Sequence, residues 1–207
     1  MFIIHGKITD HEDGSMTETN KAYYVTESGI EKIKDYGVQS FADPNFYREE
    51  LQGINEKYPA KKTMVTIQAH GNGWEFTGEP GEPQNWLVAD TALADRLQNS
   101  DDPDIRNDFA LDSFDLYDIF SDIGFEIDIF SMAACHMGQI EVLNDLPQNI
   151  NYVLASPSYG YTSDMYIHTD IMDEINNGEL DAGRLAKKYV DYYVESLDGN
   201  SRDSYAS

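Results

Sequence analysis

The sequence predicts an α/β domain with a mostly parallel central sheet and helices on both faces. Two observations carry this expectation. Three short β-rich apolar runs, 63–69, 125–131 and 151–156, are separated by stretches of helical periodicity, the alternation of an α/β chain. Chemically distinctive residues then follow two of those runs: His70 and Gly71 after the first, Cys135 after the second. The C-terminal edge of such a sheet is where α/β proteins place their chemistry. The 207 residues, 41% of them hydrophobic, suffice for a single domain over 1–207 with a sizeable core, and exclude a disordered chain.

Residues 1–36 are the least informative. Phe2 to Ile4 and Tyr23 to Thr26 read as strands, Thr9 to Asn20 as a polar turn or loop around Gly14, and Ser28 to Tyr36 as a short helix. From Asp43 to Tyr58 a helix is expected. Asp43 suits the N-cap, Pro44 the first helical position, and Tyr47, Leu51, Ile54 and Tyr58 recur on one face before Pro59 stops it. The first central strand follows and runs into His70.

Glu75 to Asp112 is a long excursion rich in Gly, Pro and acid, with a short helix expected at Ala92–Gln98. Its acidic run, Asn99 to Asp104, offers the oxygen ligands that Ca²⁺ takes, but lacks EF-hand spacing, so a solvated loop is the preferred reading. Ser113 to Ile123 reads as a helix capped by Ser113 or Asp112, with Phe114, Tyr117, Phe120 and Ile123 on one face.

The segment from Gly124 to Asn144 organises the chain. Phe125, Ile127 and Ile129 alternate with Glu126 and Asp128 as in a strand; Ala133 and Ala134 make a small-residue corner; Met137, Ile140, Glu141 and Asn144 follow at helical spacing. Cys135 sits at that corner, where a helix N-terminus would favour its thiolate. After the strand ending at Ser156, a loop leads to helices expected at Met165–Asn176 and Asp181–Leu197, the second ended by Asp198, Gly199 and Asn200.

A cysteine nucleophile needs a base, and the two are commonly adjacent in space rather than in sequence. If the strands ending at His70 and Cys135 are neighbours, these two residues face each other across the sheet edge. The bland alternatives are a buried structural cysteine and a satisfied structural histidine. His136 is expected to be structural, and Cys135 with His136 lacks the four ligands of a zinc site.

Charge and hydropathy narrow the classes further. A net charge of −24 argues against nucleic acid and anionic membrane as partners and is compatible with a basic substrate. No apolar run has the length of a membrane span, and Met1 to Gly6 lacks the features of a signal peptide.

Five segments, in order, resemble one family. Tyr58-Pro59-Ala60-Lys61-Lys62, the strand after it and His70-Gly71-Asn72-Gly73-Trp74 resemble the Tyr-Pro-Ala, strand and His-Gly-x-Gly-Trp pattern of the clostripain-like cysteine peptidases. Ala134-Cys135-His136-Met137-Gly138 with Glu141 is similar to their Ala-Cys-x-Met block, and Tyr152 to Ser156 to the strand that follows it. Phe41 to Pro44 and Leu185 to Val190 resemble two of their helices. The resemblance covers roughly residues 37 to 198; each motif alone is weak, and the ordered set is strong.

The resemblance implies a caspase-like three-layer sandwich, continuing past Ser207 with a further strand. It implies a cysteine endopeptidase that acts on peptides or proteins without a cofactor, with His70 and Cys135 catalytic and the backbone N–H groups of Gly71 and Cys135 holding the oxyanion. It further implies a bacterial secreted or cell-surface location, and self-cleavage between the His and Cys motifs, for which Arg106 is the candidate site. The family's Asp before the cysteine is Ala133 here, and its second substrate-binding acid falls near Ser163, with Asp164 beside it. A preference for basic residues therefore depends on Asp164. The alternative class is a catalytically inactive caspase-like domain used for binding.

Overall fold

The computed structural model describes residues 1–10, 16–37, 43–71, 73, 87, 111–159, 164–178 and 181–200. The three central strands are β4 (Met64–Gln68), β5 (Ile127–Ala133) and β6 (Ile150–Ala155), and they form one parallel sheet in the order β4-β5-β6. The expected strands and their neighbours are therefore present. β5 lies two residues nearer Cys135 than its hydrophobic run suggests. Asn149 Nδ2 donates to the Phe120 and Phe125 carbonyls at 2.7 and 3.2 Å, which engages the Phe125 carbonyl outside the strand.

The alternation expected along β5 gives way to burial on both faces: every residue from Ile127 to Met132 is buried. This is the position of a central parallel strand, which helices cover on either side. Asp128, read as an outward residue, is buried too. Its carboxylate accepts from Lys62 Nζ at 2.6 Å and from the Thr63 N–H at 2.8 Å, which offsets the cost of removing the charge from water.

Two apolar clusters lie on the two faces. On one, Phe130 and Ile127 pack with Leu116, Ile119 and Phe120 of α2 (Ser113–Ser121), with Val142 of the short helix α3 (Ile140–Asn144) and with Tyr47 and Leu51 of α1 (Pro44–Lys57). The Phe120 and Phe130 ring centroids are 4.6 Å apart. On the other, Ile129 and Leu154 meet Ile171 of α4 (Asp164–Asn176) and Leu185, Ala186 and Tyr189 of α5 (Ala182–Asn200).

Helix α2 turns inward a different face from the one its aromatic residues suggest. Phe114 and Tyr117 are 69% and 48% exposed, while Leu116, Ile119, Phe120 and Ile123 are buried. The buried set follows the i, i+3, i+4, i+7 stripe of a helix; the aromatic set expected from the sequence does not. Asp112 is the cap, in a reciprocal box with Asp115: Asp115 N–H donates to Asp112 Oδ1 at 2.8 Å and Asp112 N–H to Asp115 Oδ2 at 3.0 Å. Ser113 instead donates its hydroxyl to Asp145 at 2.6 Å. Helix α5 runs through Asp198 and Gly199 to Asn200 rather than ending at Leu197.

The N-terminal third departs most from expectation. β1 (Phe2–Asp10), β2 (Met16–Thr26) and β3 (Gly29–Gly37) form a separate antiparallel meander. The polar segment read as a loop supplies the ends of β1 and β2, and the expected helix at Ser28–Tyr36 is β3. Val25 pairs with Ile30 and Thr26 with Gly29 across a two-residue turn, so the cross-strand ladder decides the conformation of a segment with little apolar periodicity.

Helix α1 joins this meander to the parallel sheet. Asp43 Oδ1 accepts from Asn45 N–H at 2.9 Å, and Pro44 begins the helix, as expected. Phe46 and Glu50 meet Tyr36 of β3, the Tyr58 ring packs at a tilt against Phe2 and Tyr24, and Arg48 and Gln52 donate to the Asp118 and Asp122 carbonyls at the end of α2. The helix expected at Ala92–Gln98 and the acidic run 99–104 lie outside the described residues.

Two outcomes test these contacts. Asp112→Ala removes one half of the capping box, and urea unfolding should show a loss of about 1 kcal/mol. The second concerns Glu174, which binds Lys188 Nζ and, at 2.6 Å, the Tyr192 hydroxyl, tying α4 to α5. The hydrogen bond from Lys188, then that from Tyr192, holds the Glu174 carboxyl below its ordinary 4.5. Its contribution is therefore present above the unfolded value and lost as pH falls through the lowered folded one. Glu174→Gln should flatten the fall in Tm between about pH 5 and pH 3, read by thermal melts.

Candidate active site

The site is built from the ends of two adjacent strands. Gln68 and Ala133 are the last paired residues of β4 and β5, and Ala69 N–H still reaches the Ala133 carbonyl at 3.4 Å. His70 stands two residues beyond Gln68 and Cys135 two residues beyond Ala133. Parallel strands in register thus bring the His-Gly and Cys segments to one edge of the sheet.

The glycines explain how the two segments fit together. A Cβ built on Gly71 would stand 2.7 Å from the Cys135 carbonyl oxygen, 2.9 Å from Met137 Cγ and 3.0 Å from Ala134 Cβ. No real Cβ tolerates this, so position 71 packs backbone to backbone against the cysteine corner. Gly73, at φ +59°, would drive a Cβ into the His136 carbonyl and to 2.8 Å from His136 Cβ. Both glycines of the His-Gly-x-Gly segment are therefore needed by packing. The His70 side chain is exposed and hydrogen-bonds to none of the described residues. Cys135 is half-buried.

The corner after β5 is longer than its residues suggest. Helix α3 begins only at Ile140 and spans five residues, so the helix N-terminus expected beside Cys135 is not there to favour its thiolate. Turns occupy the interval because the chain is strapped to the loop after β6. His136 N–H donates to the Ser158 carbonyl at 2.7 Å, and Gly138 N–H to the Ser156 carbonyl at 2.8 Å. Gly138 leaves no room for a side chain either, with Pro157 N 2.8 Å from where a Cβ would be. His136 itself has φ +61°, and its ring meets Tyr159 edge-on, centroids 4.7 Å apart. In the sequence Gly138 stands out only as the last residue of the Ala134–Gly138 block. The strapping role of Ser158 and Tyr159 left no such signal.

The other expected residues divide. Ala133 is the half-buried last residue of β5, and Asp164 is the first residue of α4. Ser163 and Arg106 lie outside the described residues. Among the described residues no three His, Cys, Asp or Glu side chains gather as a metal site would require, and no helix is long and apolar enough to cross a membrane.

Known proteins give the arrangement a context. Two solved structures have a similar fold. One is a secreted C11 cysteine protease from Bacteroides thetaiotaomicron in complex with an irreversible peptide inhibitor, with TM-score 0.55 and 18% identity over 92% of this chain and 49% of that one. The other is an inactive zymogen C11 protease from Parabacteroides distasonis, with TM-score 0.53 and 18% identity over 92% of this chain and 48% of that one. The chain thus spans about half the length of either structure. No curated protein matches it by sequence. The sequence profile of the clostripain family, Peptidase_C11, matches residues 1–205, nearly the whole chain, and by that match the protein belongs to the clostripain family of cysteine peptidases.

Proposed function

We propose that this protein is a cysteine endopeptidase in which His70 and Cys135 act as a dyad. In this reading residues 1–207 form one domain, and the parallel sheet is the middle layer of a caspase-like three-layer sandwich. The observation that carries the proposal is the register of β4 on β5. It pairs Gln68 with Ala133, with His70 and Cys135 the same two residues further on. The close fit of Gly71 against Cys135 supports it.

The chemistry uses this chain's own groups. The Cys135 thiolate attacks the carbonyl carbon of a peptide bond, and the carbonyl electrons move onto oxygen. The backbone N–H groups of Gly71 and Cys135 receive that oxyanion; donors of this kind lower a barrier by about 3–4 kcal/mol each. The Gly71 N–H hydrogen-bonds to none of the described residues, which suits such a role. As the tetrahedral species collapses, the C–N bond breaks and the leaving amine takes a proton from His70. Water then attacks the thioester, His70 accepts its proton, and Cys135 is released as the thiolate. No cofactor is required. The fold of a secreted relative and the family match suit a protein acting on peptides or proteins outside the cell.

Specificity rests on fewer charges than the family pattern has. Ala133 stands where an Asp would face a basic substrate side chain, so Asp164, or Ser163 by hydrogen bonding, has to supply that partner. An Arg guanidinium desolvated without a carboxylate would cost several kcal/mol.

The decisive experiment is covalent labelling by an electrophilic peptide. Wild type should label at Cys135, Cys135→Ala not at all, and His70→Ala about 10²–10⁴-fold more slowly in turnover of a peptide substrate. Cys135→Ala should melt close to wild type, because it removes one small half-buried group and leaves little cavity. A folded wild type that neither labels nor cleaves would point to an inactive binding domain. Self-processing has its own test. The chain between His70 and Cys135 holds only two basic residues, Arg96 and Arg106. If basic preference survives Ala133, incubated wild type should be cut after Arg106. Arg106→Ala and Cys135→Ala should both stay intact by mass spectrometry.

A further inference from the structure

We propose that His136 is the positioning residue of Cys135, acting through its left-handed backbone rather than through its imidazole as an acid or base. The inference rests on the reading of Cys135 as the nucleophile and goes beyond it. His136 is the one non-glycine residue with positive φ among the described residues, at +61°. Residues in this region are uncommon, and they cluster where a site needs a backbone held in one arrangement. Here the arrangement is held from three sides. The N–H donates to the Ser158 carbonyl at 2.7 Å, the carbonyl lies against Gly73, and the ring meets the edge of Tyr159. These contacts join the ends of all three parallel strands at the residue that follows Cys135.

The consequence is geometric. His136 lies in the turn between the end of β5 at Ala133 and the start of α3 at Ile140, so its backbone conformation fixes the direction in which the adjoining Cys135 projects from the corner. Its carbonyl against Gly73 ties that direction to the segment that carries His70. Histidine, with Asn and Asp, is among the residues that enter the left-handed region more readily than most, and a β-branched residue enters it worst. The choice of residue at 136 therefore governs what fraction of molecules present Cys135 in register with Gly71.

Because the chain has one cysteine, alkylation reports on this site alone. Iodoacetamide modification of the folded protein is followed by mass spectrometry well below Tm, so that unfolding does not enter the rate. His136→Val should lower the Cys135 alkylation rate about 10-fold, as the competent corner becomes a minor state. His136→Gly, which has no preference for the sign of φ, should recover most of that loss although it lacks the ring. If Val and Gly alkylate alike, or if Val lowers Tm while the folded protein alkylates at the wild-type rate, the proposal is wrong. Should Val fail to fold, Asn and Ala repeat the comparison: Ala slower than Asn supports the positioning role, and equal rates overturn it. A wild type that alkylates yet takes no electrophilic peptide would defeat the peptidase reading alone, since the comparison at 136 does not depend on peptide binding.

Discussion

The arrangement depends on one close approach, that of Gly71 and Gly73 to the corner formed by Ala134 to Met137. Neither glycine has room for a Cβ. Such contact is available only if β4 and β5 are parallel neighbours in a fixed register, because a slip of one residue would turn each side chain to the opposite face of the sheet. A register shared by two parallel strands in turn requires a crossover, and here the chain from β4 to β5 passes through α2 on one face. β5, central and buried on both faces, then needs α4 and α5 on the other. The helices packed on the sheet follow from the need to hold two strand ends against each other.

The opposite edge of the sheet is stitched by charge. Asp128, near the start of β5, takes Lys62 and the Thr63 N–H just ahead of β4. A buried carboxylate is costly unless it is satisfied, so this pairing disfavours any register that would leave Asp128 alone. One polar anchor at the N-terminal edge and one glycine contact at the C-terminal edge bracket the five residues of β4. Between them the strand has no freedom to slide, and the positions of residues 70 and 135 follow.

The parts that were legible in the sequence are those decided locally. Asp43-Pro44 begins a helix because a side-chain acceptor and a fixed φ act within one turn, and the three apolar runs are strands because their neighbours are turn-forming residues. The meander was not legible. β3 has an exposed, charged face, and its pairing with β2 is a long-range fact that no periodicity within Ser28–Tyr36 records. The buried face of α2 was misread for a related reason: Phe114 and Tyr117 are large, but large apolar residues are common on protein surfaces, and the narrower Leu116-Ile119-Phe120-Ile123 stripe decides the orientation. At the site, residue types and spacing pointed to His70 and Cys135. The turn at His136 and its strap to Ser158 depend on β6, a separate strand, and could not be read from the corner itself.

The acidity of the chain has to be kept apart from the charge at the site. A net charge of −24 raises the local concentration of cationic ligands around the molecule, but at physiological ionic strength charges more than about 8 Å away are largely screened. A bound guanidinium is stabilised by a carboxylate in contact with it, through paired hydrogen bonds whose geometry a diffuse field cannot supply. Ala133 lies at the end of β5, two residues before Cys135, and brings no carboxylate to this edge of the sheet. A contact charge and a diffuse surface charge are therefore separate quantities, and the second does not replace the first. On the proposed reading, an acidic surface would hasten the approach of a basic peptide to this sheet edge, and only a carboxylate carried there by another segment would make the edge select it.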